Sequence, residues 1–225
     1  MTDHHRKELT IEVGSTTVVS GLLTCPARPR ACFVFAHGAG AGMTHAFMEG
    51  IATGLGARAI ASLRYQFPYM EKGSKRPDPP AVAQAAVRAA VAEAARQCPD
   101  VPLIAGGKSF GGRMTSQAQA KAPLAGVRGL AFLGFPLHPA GQPSRDRAEH
   151  LASVEIPMLF IQGTRDKLAE LSLLEPVVQD LGSLAKLHLV QDADHSFHVP
   201  ARSGRNDRAV LEEILDALAA WMAEL

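Results

Sequence analysis

Short unbroken apolar runs recur along this chain, separated by longer stretches in which apolar residues return every three or four positions. "ACFVFA" (31–36), "VPLIAGG" (101–107), "GLAFLGF" (129–135) and "PMLFIQG" (157–163) are of the first kind. A run of strand length without polar alternation predicts a strand covered on both faces, as in a parallel sheet. "RAIASL" (58–63) and "KLHLV" (186–190) are further strands of this series. The helical period is clearest from about Pro79, where Val82, Ala86, Val87, Ala90, Val91 and Ala94 share a face, with Asp78 placed to cap the start and Pro99 to stop it. It returns in "NDRAVLEEILDALAAWMAEL", with Val210, Leu211, Ile214, Leu215, Leu218 and Met222 on one side. Helices are also expected from about Thr44 to Leu55, from Ser109 to about Lys121, and, short, around Arg145 to Ser153. Ahead of all these, "LTIEV" and "TTVVSGLL" flank Gly14-Ser15 and predict a β-hairpin with a two-residue turn.

A hairpin followed by repeated β-α units predicts one α/β domain over residues 1–225, with a mostly parallel sheet of seven to eight strands and helices on both faces. Ligands of such sheets bind beyond the carboxyl ends of the strands. That selects His37–Gly40, Arg64–Tyr69, Lys108–Gly111, Phe135–His138, Thr164–Asp166 and Asp192–His195.

Composition narrows the function classes. A formal net charge of +1 with no long run of one sign argues against a nucleic-acid surface, and 5% aromatic content argues against base-stacking platforms. No apolar run approaches the roughly 18 residues needed to cross a bilayer. The N-terminal "MTDHHRKELT" lacks the apolar centre of a signal peptide, and Cys25, Cys32 and Cys98 form no CxxC pair. Reduced thiols in a cytoplasmic protein are the expectation. The adjacent His4 and His5 have no further ligands in sequence and read as part of a solvated tail, so no metal site is assigned.

Gly107-Lys108-Ser109-Phe110-Gly111 matches G-x-S-x-G at the junction of a strand and a helix. A nucleophile elbow needs that placement: the serine takes a strained turn, so its neighbours two residues away must lack a Cβ. A serine hydroxyl needs a base, and the base an orienting acid. Asp166 follows the strand of "FIQGTRD" and His195 follows the last strand, in "DADHSF", giving the chain order Ser, Asp, His. Asp192 and Asp194 are local alternatives to Asp166, and His198 is a rival to His195. The oxyanion donors fall to the backbone N–H groups of Phe110, after the nucleophile, and of Ala39, in the glycine-rich loop "HGAGAG". His37 braces that loop or simply packs.

These segments, together with "RYQFPY", "RPDPP" and "GFPLHPAGQP", resemble the α/β-hydrolase superfamily. More narrowly, they are similar to its small, lidless, dienelactone-hydrolase-like branch, which includes testis-expressed protein relatives. The resemblance implies an α/β-hydrolase fold with Ser109 as nucleophile, Asp166 as acid and His195 as base, and no cofactor. Dienelactone hydrolases proper carry cysteine in the elbow where this chain has serine, which points to other acyl substrates. Between Gly134 and Met158 there is room for one short helix and no apolar lid, which implies an open, shallow site. Met43, Phe67, Tyr69, Phe135, Leu137 and Phe197 are the candidates to line it. Lys108, Arg64 and Arg113 could draw an acidic substrate or serve neighbouring carboxylates, and His138 reads as structural. The expected activity is hydrolysis of a small ester or thioester through an acyl-enzyme, acyl transfer to another acceptor using the same residues. The partner is a small acyl substrate, with neither nucleic acid nor membrane, and the protein a monomer or dimer. The alternative is an interaction or scaffold protein that keeps the fold with little turnover.

Overall fold

In the computed structural model, which describes residues 4–225, the apolar runs become the interior strands of an eight-stranded sheet. The strands are β1 (His4–Val13), β2 (Thr17–Pro26), β3 (Ala31–Ala36), β4 (Ile60–Tyr65), β5 (Leu103–Lys108), β6 (Val127–Leu133), β7 (Met158–Gly163) and β8 (Ala185–Val190). Their order is β1-β2-β4-β3-β5-β6-β7-β8. β1 pairs antiparallel with β2, and β2 with β4; every other neighbour is parallel. β3 and β7 are buried at every residue, as their unbroken apolar sequences require.

Helices α1 (Ala46–Ala57) and α6 (Asp207–Met222) cover one face, where Phe33, Phe35, Ile104 and Ile161 meet Ile51, Leu55, Ile214 and Leu218. The other face packs Val34, Leu63, Ala105 and Phe132 against α3 (Pro80–Gln97), α4 (Phe110–Lys121) and α5 (Leu171–Asp180). Each such large side chain contributes about 1.5–3 kcal/mol on leaving water.

Several local expectations are corrected. The hairpin turn has three residues, Gly14 to Thr16, because the register closes on Val13 and Thr17. Gly14 supplies the positive φ, at 65°. Strand β1 starts well before "LTIEV", and His5 pairs with Cys25 inside it rather than in a loose tail; residues 1–3 and the side chain of His4 lie outside the described residues. Asp78 does not cap α3: its carboxylate accepts from Tyr69 N, and Pro79 occupies the cap. Val82 is exposed, the buried stripe running instead through Ala83, Ala86, Val87, Ala90, Val91 and Ala94. A short helix α2 (Pro68–Glu71) and α5 were not foreseen.

Following the chain, β3 leads to β4 on one side, then the path jumps to β5 on the other. That reversal opens a crevice between the carboxyl ends of β3 and β5, where open α/β sheets bind their ligands. The 134–157 segment does not cover it. Its 3-10 helix (Asp146–Ser153) lies on α4, with Ala148 and Leu151 buried and His150 Nε2 bonded to Ser116 Oγ at 2.7 Å.

Candidate active site

Strand β5 ends at Lys108 and α4 begins at Phe110, so Ser109 alone turns the chain. It does so at φ 50° and ψ −116°, a conformation that costs a residue with a Cβ about 1–3 kcal/mol. The glycines around it are steric necessities. A Cβ on Gly107 would lie 2.5 Å from the Ala36 carbonyl oxygen, one on Gly111 2.6 Å from the same atom, and one on Gly106 1.9 Å from the Ala131 oxygen. Ser109 N donates to the Leu133 carbonyl at 3.1 Å, which fixes the turn against β6.

The Ser109 Oγ is 2.8 Å from His195 Nε2, and His195 Nδ1 is 2.6 Å from Asp166 Oδ2. With Nδ1–H donating to the carboxylate, Nε2 presents its lone pair to the serine hydroxyl. The three residues come from the ends of β5, β7 and β8. Asp194 does not orient the ring; its Oδ1 accepts from Ser196 N and His198 N and so closes the histidine loop. His198 turns outward to Asp207 at 2.8 Å. Asp192 sits at φ 61° and its N–H donates to Thr164 Oγ1, holding the loop at its start.

Asp166 is fully buried as a side chain and has no free oxygen. Oδ1 accepts from Leu168 N at 2.8 Å, and Oδ2 takes a second donor from Gln162 Nε2. Gln162 in turn accepts from Phe135 N. Sequence reasoning passed over Gln162, although a glutamine within the apolar run "MLFIQG" was the available signal: a buried amide needs partners.

The glycine loop after β3 is held by two side chains, His37 and Tyr69. His37 Nδ1 donates to the Gly38 carbonyl at 2.8 Å while its Nε2 accepts from Phe67 N at 3.0 Å. Burial lowers the His37 pKa to about 4, so the ring is neutral and keeps that tautomer. Tyr69 Oη donates to the Ala39 carbonyl at 2.9 Å. Both peptides are trans, so tying these carbonyls down turns the N–H groups of Ala39 and Gly40 the opposite way.

A cleft of about 360 Å³ opens over Ser109, lined by Gly38–Ala41, His45, Phe47, Met48, Lys108, His195 and Ser196. The six expected lining residues are placed elsewhere, all of them buried. Phe67 and Tyr69 support the glycine loop from below. Met43 bonds Gln66 through its N–H and Arg64 through its carbonyl. Phe135 packs on Phe132 and Phe160, and Leu137 is wholly enclosed. Phe197 stacks under Phe47, with ring centroids 5.7 Å apart. Arg64 is buried and serves Met43; Arg113 lies over the Phe110 ring. His138 is buried, its Nδ1 bonded to the Pro139 carbonyl and its Nε2 facing Glu170. Lys108 is half-buried, and its Nζ donates to the His195 carbonyl and stands 5.1 Å from the Phe197 ring centroid. Desolvation lowers its pKa to about 8, against the attraction of Asp166 and Asp194.

No helix among the described residues is long and apolar enough to cross a membrane. The architecture is shared with solved structures. A dienelactone hydrolase from Anabaena variabilis superposes with a TM-score of 0.79 at 19% identity, covering 98% of both chains. A lidless α/β serine hydrolase from Xanthomonas campestris gives 0.75 at 20% identity, over 96% of this chain and 94% of that one. An esterase of Pyrococcus furiosus gives 0.76 at 14% identity, over 98% and 93%. In sequence, residues 29–223 match the family model described as "Alpha/beta hydrolase domain". With six of the eight strands, from β3 to β8, the elbow and the strand-end histidine inside that match, the chain belongs to the alpha/beta hydrolase domain family.

Proposed function

We propose that this protein is a serine hydrolase that cleaves small esters or thioesters through an acyl-enzyme on Ser109. The observation that carries the reading is the continuous bond path from Ser109 Oγ through His195 to a buried, fully bonded Asp166. Ser109 Oγ attacks the acyl carbon as His195 Nε2 takes its proton. The Asp166 carboxylate holds the imidazolium through Nδ1–H. The N–H groups of Phe110, at the start of α4, and of Ala39 receive the oxyanion, and both are oriented before substrate arrives. His195 then returns the proton to the departing alcohol or thiol. Water repeats the sequence in reverse and frees Ser109.

The open cleft favours short acyl groups, because nothing packs over it to shelter a long chain. Esterases and a serine hydrolase share this fold, which supports the same class. A panel of p-nitrophenyl esters of rising chain length tests the substrate class. Turnover is expected to be highest for acetate and butyrate and to fall for laurate and palmitate. Highest turnover on the long esters would contradict a short-acyl substrate.

A further inference from the structure

Two cavities meet at His195. One is the cleft over Ser109; the other, of about 520 Å³, is lined by Arg165, Lys167, Asp194, His195, His198 and Pro200. Its walls are the loops that follow β7 and β8, and these loops are locked together. Arg165 N donates to the Ala193 carbonyl at 2.9 Å, and a Cβ on Gly163 would lie 2.3 Å from that same oxygen. Asp166 turns inward from the first loop and is buried, while Arg165 and Lys167, on either side of it, are exposed. Two cations are thereby held at a fixed place beside the imidazole.

Exposed cations often pair with a neighbouring carboxylate. Among the described residues, neither Arg165 nor Lys167 enters an ion pair. The acids nearby are engaged elsewhere. Asp166 serves His195, Gln162 and Leu168 N. Asp207 pairs with His198 at 2.8 Å and accepts from Val199 N at 3.1 Å. Asp194 is the one carboxylate in the cavity lining, and its Oδ1 accepts from Ser196 N and His198 N. Arg165 and Lys167 outweigh it, and the His198 ring, whose pKa Asp207 raises, adds positive charge as pH falls. A water-filled cavity with an excess of fixed positive charge concentrates anions.

On the mechanism proposed above, the acyl carbon sits at Ser109 Oγ with its oxygen toward the N–H groups of Phe110 and Ala39. The departing atom lies within hydrogen-bond reach of His195 Nε2, which protonates it. The cleft over Ser109, with Phe47 and Met48 in its walls, receives the acyl group. The leaving group extends past the imidazole, where the second cavity begins. We propose, resting on that hydrolase reading, that this cavity is a leaving-group subsite and that the alcohol or thiol released carries an anionic group, a carboxylate or phosphate, held by Arg165 and Lys167. The chemistry at Ser109 is unchanged: the acyl C–O or C–S bond breaks, and the leaving oxygen or sulfur takes its proton from His195. The two cations select the substrate by its charge.

The test compares three acetate esters that share one acetyl-enzyme: p-acetoxybenzoate, p-acetoxyphenyl phosphate and the neutral methyl p-acetoxybenzoate. The readout is kcat/KM, which reports the acylation half of the reaction, when the leaving group is still bound. Dividing each anionic ester's value by that of the neutral ester cancels any general loss of activity. In Arg165→Gln/Lys167→Gln the ratio should fall about 10-fold for at least one anion, two exposed ion contacts being lost. The anion with the greater fall identifies the leaving group's chemistry. In the unsubstituted protein, sodium chloride at about 0.5 M should lower the same ratio by screening, which keeps the test decisive even where the variant fails to fold. Ratios that neither the substitutions nor salt change would overturn the subsite while leaving Ser109-dependent hydrolysis of the neutral ester, and so the hydrolase reading, intact. Absence of Ser109-dependent hydrolysis of all three esters would overturn both.

Discussion

Lys108 Nζ donates to the backbone carbonyl of His195, joining the residue before Ser109 to the histidine loop 87 positions away. A charged side chain thereby anchors the main chain of the proposed base. Lys108→Met keeps the length and removes the donor. Freed from this tie, the imidazole loses register with Ser109, and a displacement on the order of 1 Å costs about 10–100-fold in rate. The expected result is a fall of that size in kcat on a short ester with little change in KM. A KM effect alone would mean that Lys108 serves substrate binding.

The same lysine has a pH signature. Its native pKa is lowered from 10.5 to about 8. Below about 8 both states carry the charge and its burial cost is fully present. Between about 8 and 10.5 the unfolded chain holds a proton that the native protein has released, so stability rises with pH. Denaturant unfolding of the unsubstituted protein and of Lys108→Met across this window should show the rise only in the former.

His37 gives the opposite end of the pH scale. Its pKa is lowered from 6.5 to about 4 by burial. The native state resists the proton that the unfolded chain accepts, so stability present above about 6.5 declines as pH falls to about 4. The shift corresponds to roughly 3 kcal/mol if burial is undiminished. His37→Asn should flatten the decline in urea titrations, and it should lower kcat by loosening the glycine loop.

The strained turn makes a stability prediction at Ser109 itself. Ser109→Ala retains a Cβ at φ 50°, whereas Ser109→Gly releases the strain. Ser109→Gly should be the more stable of the two inactive variants by about 1 kcal/mol, after the entropy of glycine is deducted, measured by denaturant midpoint. Equal midpoints would show that the turn carries no strain.

Asp166→Asn should be far more damaging than its shape suggests. An amide in place of the carboxylate must aim an N–H at one of three donors: His195 Nδ1, Gln162 Nε2 or Leu168 N. A fall in kcat of about 10³–10⁴-fold is expected, as for triads in general, with stopped-flow ester hydrolysis as the measure.

The strands and the elbow were legible because each obeys a local rule. β3 and β7 are buried on both faces and so are uniformly apolar, and Gly106, Gly107 and Gly111 stand where a Cβ meets a backbone oxygen. The chain order of Ser109, Asp166 and His195 followed from strand ends alone. The cleft was not legible, because proximity to a strand end does not say which way a side chain turns. Phe67 and Tyr69 turn down beneath the glycine loop, while His45, Phe47 and Met48, at the start of α1, turn toward Ser109. Helix α5 was hidden by Pro176 inside it.

Fluorophosphonate labelling addresses the central claim most directly, because the reagent modifies only a serine that is already activated. The unsubstituted protein should be labelled at Ser109 and Ser109→Ala left unlabelled, with His195→Ala slowed severely. A folded, unsubstituted protein that takes no label, or a Ser109→Ala variant that takes it equally well, would contradict the account.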